Sequence, residues 1–293
     1  MIEAHQRDGA LDKERLANSL TLRIVSAAVL APAVLAITYV GGGAFLALCT
    51  IAAGGVLWEW TSLVARWPDS RILGPGWVTL MVAAVLIGVG LPDAASGMVV
   101  IGALLAGLAL VALPPGEPTL LEAAWAGGGI LYAGALLLGP ALLRRDPQWG
   151  FTALLFLFAT VWFTDIFAFL CGRAIGGPKL WPNVSPNKTW SGAVGGLVGG
   201  VAAGIAVAYS SGIATLGIIG AMGFLLSVLA QAGDLLESAV KRHFGAKDTG
   251  KLIPGHGGLM DRLDGFLIAA VAAVLIGILR QGTGAPAQGL LVW

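Results

Sequence analysis

Charged side chains are scarce in this 293-residue chain: Asp, Glu, Lys and Arg supply 11% of it, against roughly a quarter in an ordinary soluble domain. With 57% of residues hydrophobic, so little charge cannot clothe a water-facing surface, and a soluble globule is excluded in favour of a bilayer protein. Cysteine is confined to Cys49 and Cys171, both inside apolar runs. A disulfide framework and a thiolate metal site are therefore excluded, and packing is left as their role. The ten-residue alternation of a transmembrane barrel is missing too, since the apolar blocks are long and unalternating, hence helical. The formal net charge of +1 excludes nothing by itself, because in a membrane protein the placement of charge matters more than its sum.

What is present is a series of apolar blocks near 22–40, 43–60, 74–92, 96–113, 122–143, 151–171, 191–210, 213–235 and 264–280. A hydrocarbon core about 30 Å thick needs on the order of 20 such residues per helix, so the expectation is an all-α polytopic membrane protein of about nine transmembrane helices. Residues 1–21 read as a cytoplasmic lead-in, too polar and too long for a signal-peptide n-region. An N-terminal transmembrane region of about five helices follows over 22–150, and a C-terminal region over 151–293 carries the chemistry, with cytoplasmic loops at 172–190 and 236–263. With the N-terminus inside, fourteen of the seventeen Lys and Arg residues fall on the cytoplasmic side and only Arg144, Arg145 and Arg280 fall outside. That imbalance predicts an N-in, C-out topology. Gly192, Gly196, Gly200 and Gly204 recur every four residues and predict a helix seam of close backbone approach. Trp58, Trp60, Trp149, Trp181 and Trp190 stand near span ends, where interfacial anchoring is their ordinary role.

The remaining charge concentrates in two stretches on one predicted face. In 231–265, fifteen of thirty-five side chains are polar or charged. Asp234, Ser238 and Lys241 are spaced to share a helical face, Asp261 and Asp264 repeat the pattern, and the glycines between them free backbone N–H groups to approach a ligand. Carboxylates so close together need a counter-ion, and oxygen ligands without paired His or Cys favour Mg²⁺. Lys241, Arg242, Lys247, Lys251 and Arg262 suit a polyphosphate, so the segment points to metal-assisted phosphoryl or nucleotidyl transfer. Asp165, within the sixth apolar block, is a functional candidate, with a hydrogen bond to a neighbouring helix as its structural alternative. After it, Arg173, Lys179, Ser185, Asn187, Lys188 and Thr189 form a cradle suited to phosphates, without P-loop spacing. His5 and His243 read as solvated, whereas His256 in PGHGG is suited equally to a phosphate contact or proton transfer and to a structural hydrogen bond.

Ser238-x-x-Lys241-Arg242, Lys247-Asp248, His256-Gly257-Gly258 and Asp261-Arg262-x-Asp264 together closely resemble the signature of the phosphatidate cytidylyltransferases, and Ser185-Pro186-x-Lys188-Thr189-Trp190-x-Gly192 is similar to the family's second motif. The resemblance spans the C-terminal half. It implies a dimeric enzyme in the inner membrane, its site facing the cytoplasm, that joins CTP to phosphatidic acid and acts on no nucleic acid. It also implies Mg²⁺, with room for a second cation, on Asp234, Asp261 and Asp165. Ser185, Lys188, Thr189, Ser238, Lys241 and Arg242 would contact substrate, while Lys247, Asp248, His256, Arg262 and Asp264 would shape the same pocket. Ser191 departs from the family, where Glu or Gln is common after the Trp. Direct in-line transfer is expected, because no base-activated Ser or Cys nucleophile accompanies the charged residues. Two alternatives stand beside it: another lipid phosphate or lipid alcohol as acceptor, and an ion-coupled transporter using Asp165 and Asp234.

Overall fold

The computed structural model describes residues 28–65, 70–112, 119–250, 252 and 257–293. Eight of its helices are long and apolar enough to cross a membrane: α2 (Gly42–Val64), α3 (Ser70–Gly88), α4 (Pro92–Ala112), α5 (Leu120–Arg144), α6 (Gly150–Ile175), α7 (Trp190–Ser210), α8 (Leu216–His243) and α9 (Met260–Gln281). A ninth apolar helix, α1 (Ala28–Val40), precedes them, and the expected start of that block at 22 lies outside the described residues. The chain is thus an all-α, multi-pass membrane protein. A six-residue helix, α10 (Pro286–Leu291), packs back on α9.

Local chemistry sets the ends of these helices. Thr119 and Glu122 form a reciprocal capping box at the start of α5, and Asp146 Oδ1 accepts from the backbone N–H groups of Gln148 and Trp149 ahead of α6. At the end of α8 the chain turns on Gly245 at φ 70°, with Gly245 N donating to Arg242 O (3.1 Å) and Ala246 N to Lys241 O (2.8 Å). This pair of bonds around a left-handed glycine is a Schellman stop. The loop expected over 236–263 is corrected accordingly: α8 continues to His243 and α9 begins at Met260, so both acidic clusters sit on helices. Loss of hydrophobicity marked the end of the apolar run, whereas the cap glycine marks the end of the helix.

The stretch after α6 is also more ordered than a loop. Lys179–Trp181 (β1) and Ser185–Thr189 (β2) pair as an antiparallel hairpin, the sole sheet among the described residues. Ser191 Oγ donates to Gly176 O and so ties the foot of α7 to the end of α6.

One continuous core runs from Phe45 to Leu291 and draws on both halves of the chain. The glycine stripe is filled by α6 along its length. A Cβ on Gly196 would lie 2.6 Å from Thr164 O, and one on Gly192 would lie 2.8 Å from Ala168 O, so the two backbones are in contact. Gly196→Ala is expected to destabilise the protein by about 1–3 kcal/mol through overpacking, read as a lower melting temperature in detergent. Gly217, with open space where a Cβ would stand, is the matched control and should tolerate Ala.

Candidate active site

α8 carries Asp234, Glu237, Ser238 and Lys241 on adjoining positions of one face, and α9, packed against it, adds Asp261 and Asp264 one turn apart. Asp234, Glu237 and Asp264 each offer a carboxylate oxygen, and the three oxygens lie within 4.8 Å of one another. Glu237 is the most enclosed of them at 2% exposure, and neither of its oxygens makes a hydrogen bond of normal geometry. Its Oε2 is instead 2.7 Å from Lys241 Nζ, an ion pair one helical turn apart. The same ammonium stands 2.8 Å from Asp261 Oδ1 and so bridges α8 to α9. Lys188, delivered by β2, pairs with Asp234.

Four carboxylates therefore meet two ammoniums, which leaves two formal negative charges in excess. Asp165 and Arg262 lie within electrostatic reach of each other and leave that balance unchanged when both are counted. An all-oxygen set with a charge deficit of two and an unbonded buried carboxylate fits a divalent cation such as Mg²⁺.

The expected residues divide into three groups. Asp234, Asp264, Lys188 and Lys241 come together as described, with Asp165 of α6 within electrostatic reach of Asp234, Lys188 and Arg262. Asp261 joins them through Lys241, but its Oδ2 is engaged by the backbone N–H groups of Gly258 (3.0 Å) and Thr249 (3.2 Å). In this structure Glu237 occupies the place among the carboxylates that the sequence reading gave to Asp261. Ser185 and Ser238 are half-buried, on the same elements as Lys188 and Lys241, β2 and α8.

A second group is engaged elsewhere. Thr189 is buried, and its hydroxyl caps α7 by accepting from Gly192 N at 3.1 Å. Arg242 is exposed and donates to Ala246 O at 3.1 Å, bracing the turn after α8. Lys247 and Asp248 are exposed in the loop between α8 and α9. The third group is His256 with Lys251, which lies outside the described residues. Two aromatic assignments change as well. Trp60 is no interfacial anchor, since it is buried, donates to Trp125 O at 2.9 Å and packs on Tyr132. His243, though exposed, stacks on Trp125 at 5.5 Å.

Sequence reasoning passed over Glu59, a carboxylate of α2 buried to 2% exposure. Its Oε1 accepts from Leu259 N (2.9 Å), and its Oε2 accepts from Met260 N (2.7 Å) and from the Thr249 hydroxyl (3.3 Å). The signal was a lone acid near the end of an apolar run, the same signal that drew notice to Asp165.

Known proteins similar to this chain are phosphatidate cytidylyltransferases. A phosphatidate cytidylyltransferase of Brucella abortus biovar 1 (strain 9-941) is 44% identical over 271 residues, which cover 89% of this chain and 94% of that protein. Phosphatidate cytidylyltransferases of Staphylococcus saprophyticus and Staphylococcus aureus (strain COL) are 38% and 36% identical over 148 residues each, half of this chain and 56% of theirs. The model of the cytidylyltransferase family matches residues 21–279, a range that takes in α1 and nearly all of α9. This chain belongs to the cytidylyltransferase family.

Proposed function

We propose that this chain transfers the cytidylyl group of CTP to phosphatidic acid, yielding CDP-diacylglycerol and pyrophosphate; its relatives are named phosphatidate cytidylyltransferases. The observation that carries the reading is the meeting of three carboxylates with Lys188 and Lys241 where α8, α9 and the β1–β2 hairpin converge. In the reaction a lipid phosphate oxygen bonds to the α-phosphorus of CTP as the bond to the bridging α,β-oxygen breaks. The lipid phosphate is already an anion at neutral pH, so no strong general base is required. Catalysis then consists of positioning and charge neutralisation.

Lys188 and Lys241, with Ser185 and Ser238 of the same elements, would hold phosphate oxygens in line, and Arg262 and Asp165 would frame the approach from α9 and α6. Asp234, Glu237 and Asp264 would hold Mg²⁺, which when bound neutralises the triphosphate and the charge growing on pyrophosphate. The Lys and Arg distribution supports a cytoplasmic membrane location with this site facing the cytoplasm, where CTP arrives from water and the lipid headgroup from the leaflet. The family resemblance supports a homodimer.

The test is incubation of the purified protein with α-phosphate-labelled CTP, Mg²⁺ and micelles carrying phosphatidic acid. Label is expected to enter the lipid phase with phosphatidic acid and to stay in water when Mg²⁺ is chelated. Incorporation only with another lipid phosphate or a lipid alcohol would change the acceptor. No incorporation into any lipid would overturn the reading.

A further inference from the structure

Glu59 stands outside the charged segments, yet it contacts the α8–α9 connection at Thr249 and again where α9 begins. Leu259, the residue that opens α9, has no side chain able to cap the helix, so the first backbone N–H groups of α9 lack a partner of their own. Glu59 takes the N–H groups of Leu259 and Met260 from another helix, across 200 and 201 residues of chain. A carboxylate at the positive end of α9 is favourably placed, but burying it to 2% exposure costs more desolvation than a Ser or Asp at position 259 would. A plain cap would hold the helix end alone. What Glu59 adds is a fixed relation between α2 and the loop.

That relation reaches Asp261 through two residues. Thr249 donates its hydroxyl to Glu59 Oε2 and its backbone N–H to Asp261 Oδ2. Gly258 donates its N–H to the same Asp261 oxygen and lies so close to Glu59 that a Cβ there would come within 2.9 Å of Oε2. The opposite oxygen of Asp261 is thereby turned toward Lys241. We infer that Glu59 is a positioning residue for cytidylyl transfer, fixing Thr249 and Gly258 so that Asp261 and Lys241 are held in register with the acidic centre. The inference rests on the proposed function, in which Lys241 holds phosphate oxygens; Asp261 holds the Lys241 ammonium.

Glu59→Gln keeps the shape of the side chain but replaces one acceptor with a donor, so one of the three donors it serves is left without a partner. Activity per folded protein is expected to fall about 10- to 100-fold in kcat, with KM for CTP held, as for residues that orient a reacting group from behind. Thr249→Val removes only the hydroxyl link and keeps the backbone N–H to Asp261; a loss of about 10-fold is expected. Trp60→Phe, which loosens the same end of α2 by losing the bond to Trp125 O, should lower the melting temperature and leave kcat unchanged. Asp261→Asn, run alongside, tests the link to Lys241. Wild-type kcat in Asp261→Asn would overturn this inference and leave the proposed function standing, whereas no label transfer by the wild-type protein would overturn the proposed function. An inactive Asp261→Asn beside a fully active Glu59→Gln would overturn the inference alone. An equal loss of kcat in Trp60→Phe would also overturn it, by reducing Glu59 to general support. If Glu59→Gln does not fold, Thr249→Val decides, and wild-type kcat there counts against the inference.

Discussion

Asp234→Asn, Glu237→Gln and Asp264→Asn are each expected to lower kcat on the order of 1000-fold, matching the several kcal/mol that charge neutralisation by a bound metal supplies. Each substitution keeps shape and one acceptor oxygen while removing the charge that a divalent cation requires. Stability is expected to respond differently. The Asp234–Lys188 pair is about one-third exposed on each side, so its loss costs about 0–1 kcal/mol. Glu237 is buried beside other carboxylates, so making it neutral relieves repulsion, and Lys241 keeps Asp261 as its partner. Glu237→Gln should melt at the same temperature as the native protein or above it. Lost activity with retained or raised stability marks a site that gives up stability for function. The checks are label transfer from CTP to lipid over a Mg²⁺ titration and thermal unfolding in detergent. Full activity in any one variant would remove that residue from the metal set.

Most of the membrane architecture was legible because it rests on a one-dimensional quantity. Long apolar blocks become helices whatever they pack against, since backbone groups in hydrocarbon must bond within their own segment. The α6–α7 seam was equally legible, because glycine every four residues leaves a groove that only a close neighbour can fill. Helix ends were less so. The run LLESAVKRH is polar enough to look like a loop, although the helical spacing of Asp234, Ser238 and Lys241 and the glycine at 245 both fit an α8 that carries through it.

The site was legible as a composition and less so as a geometry. Asp234, Asp264, Lys188 and Lys241 were recognisable as acids and bases on one face. Which carboxylates share a centre depends on the rotation of α8 against α9, and that rotation places Glu237 with Asp234 and Asp264 while Asp261 receives backbone N–H groups. The spacing of Asp234 and Glu237, three residues apart on what proves to be continuous helix, carried the information. Glu59 was hidden for a different reason. Two of its three partners are backbone groups about two hundred residues away, which leave no mark in sequence.

Lys241→Met is expected to differ from the carboxylate variants by losing activity and stability together. The ammonium lies 2.7 Å from Glu237 Oε2 and 2.8 Å from Asp261 Oδ1, with its own side chain 12% exposed. Asp261 keeps two backbone donors after the substitution, but Glu237 keeps none. An uncompensated buried carboxylate then remains beside Asp234 and Asp264, and removal of one partner of such a pair costs about 3–5 kcal/mol. Activity should fall by about 100-fold or more, because the same ammonium faces the phosphates in the proposed reaction. Lys241→Arg separates the two effects. Guanidinium restores the charge, and with it part of the melting temperature, but its planar fork cannot place one donor between two carboxylates as an ammonium does, so kcat should stay low. Thermal unfolding and CTP-to-lipid transfer measured on both variants check this. Native kcat in Lys241→Met would show that the ammonium only holds α8 to α9, and a native melting temperature there would show that it does not.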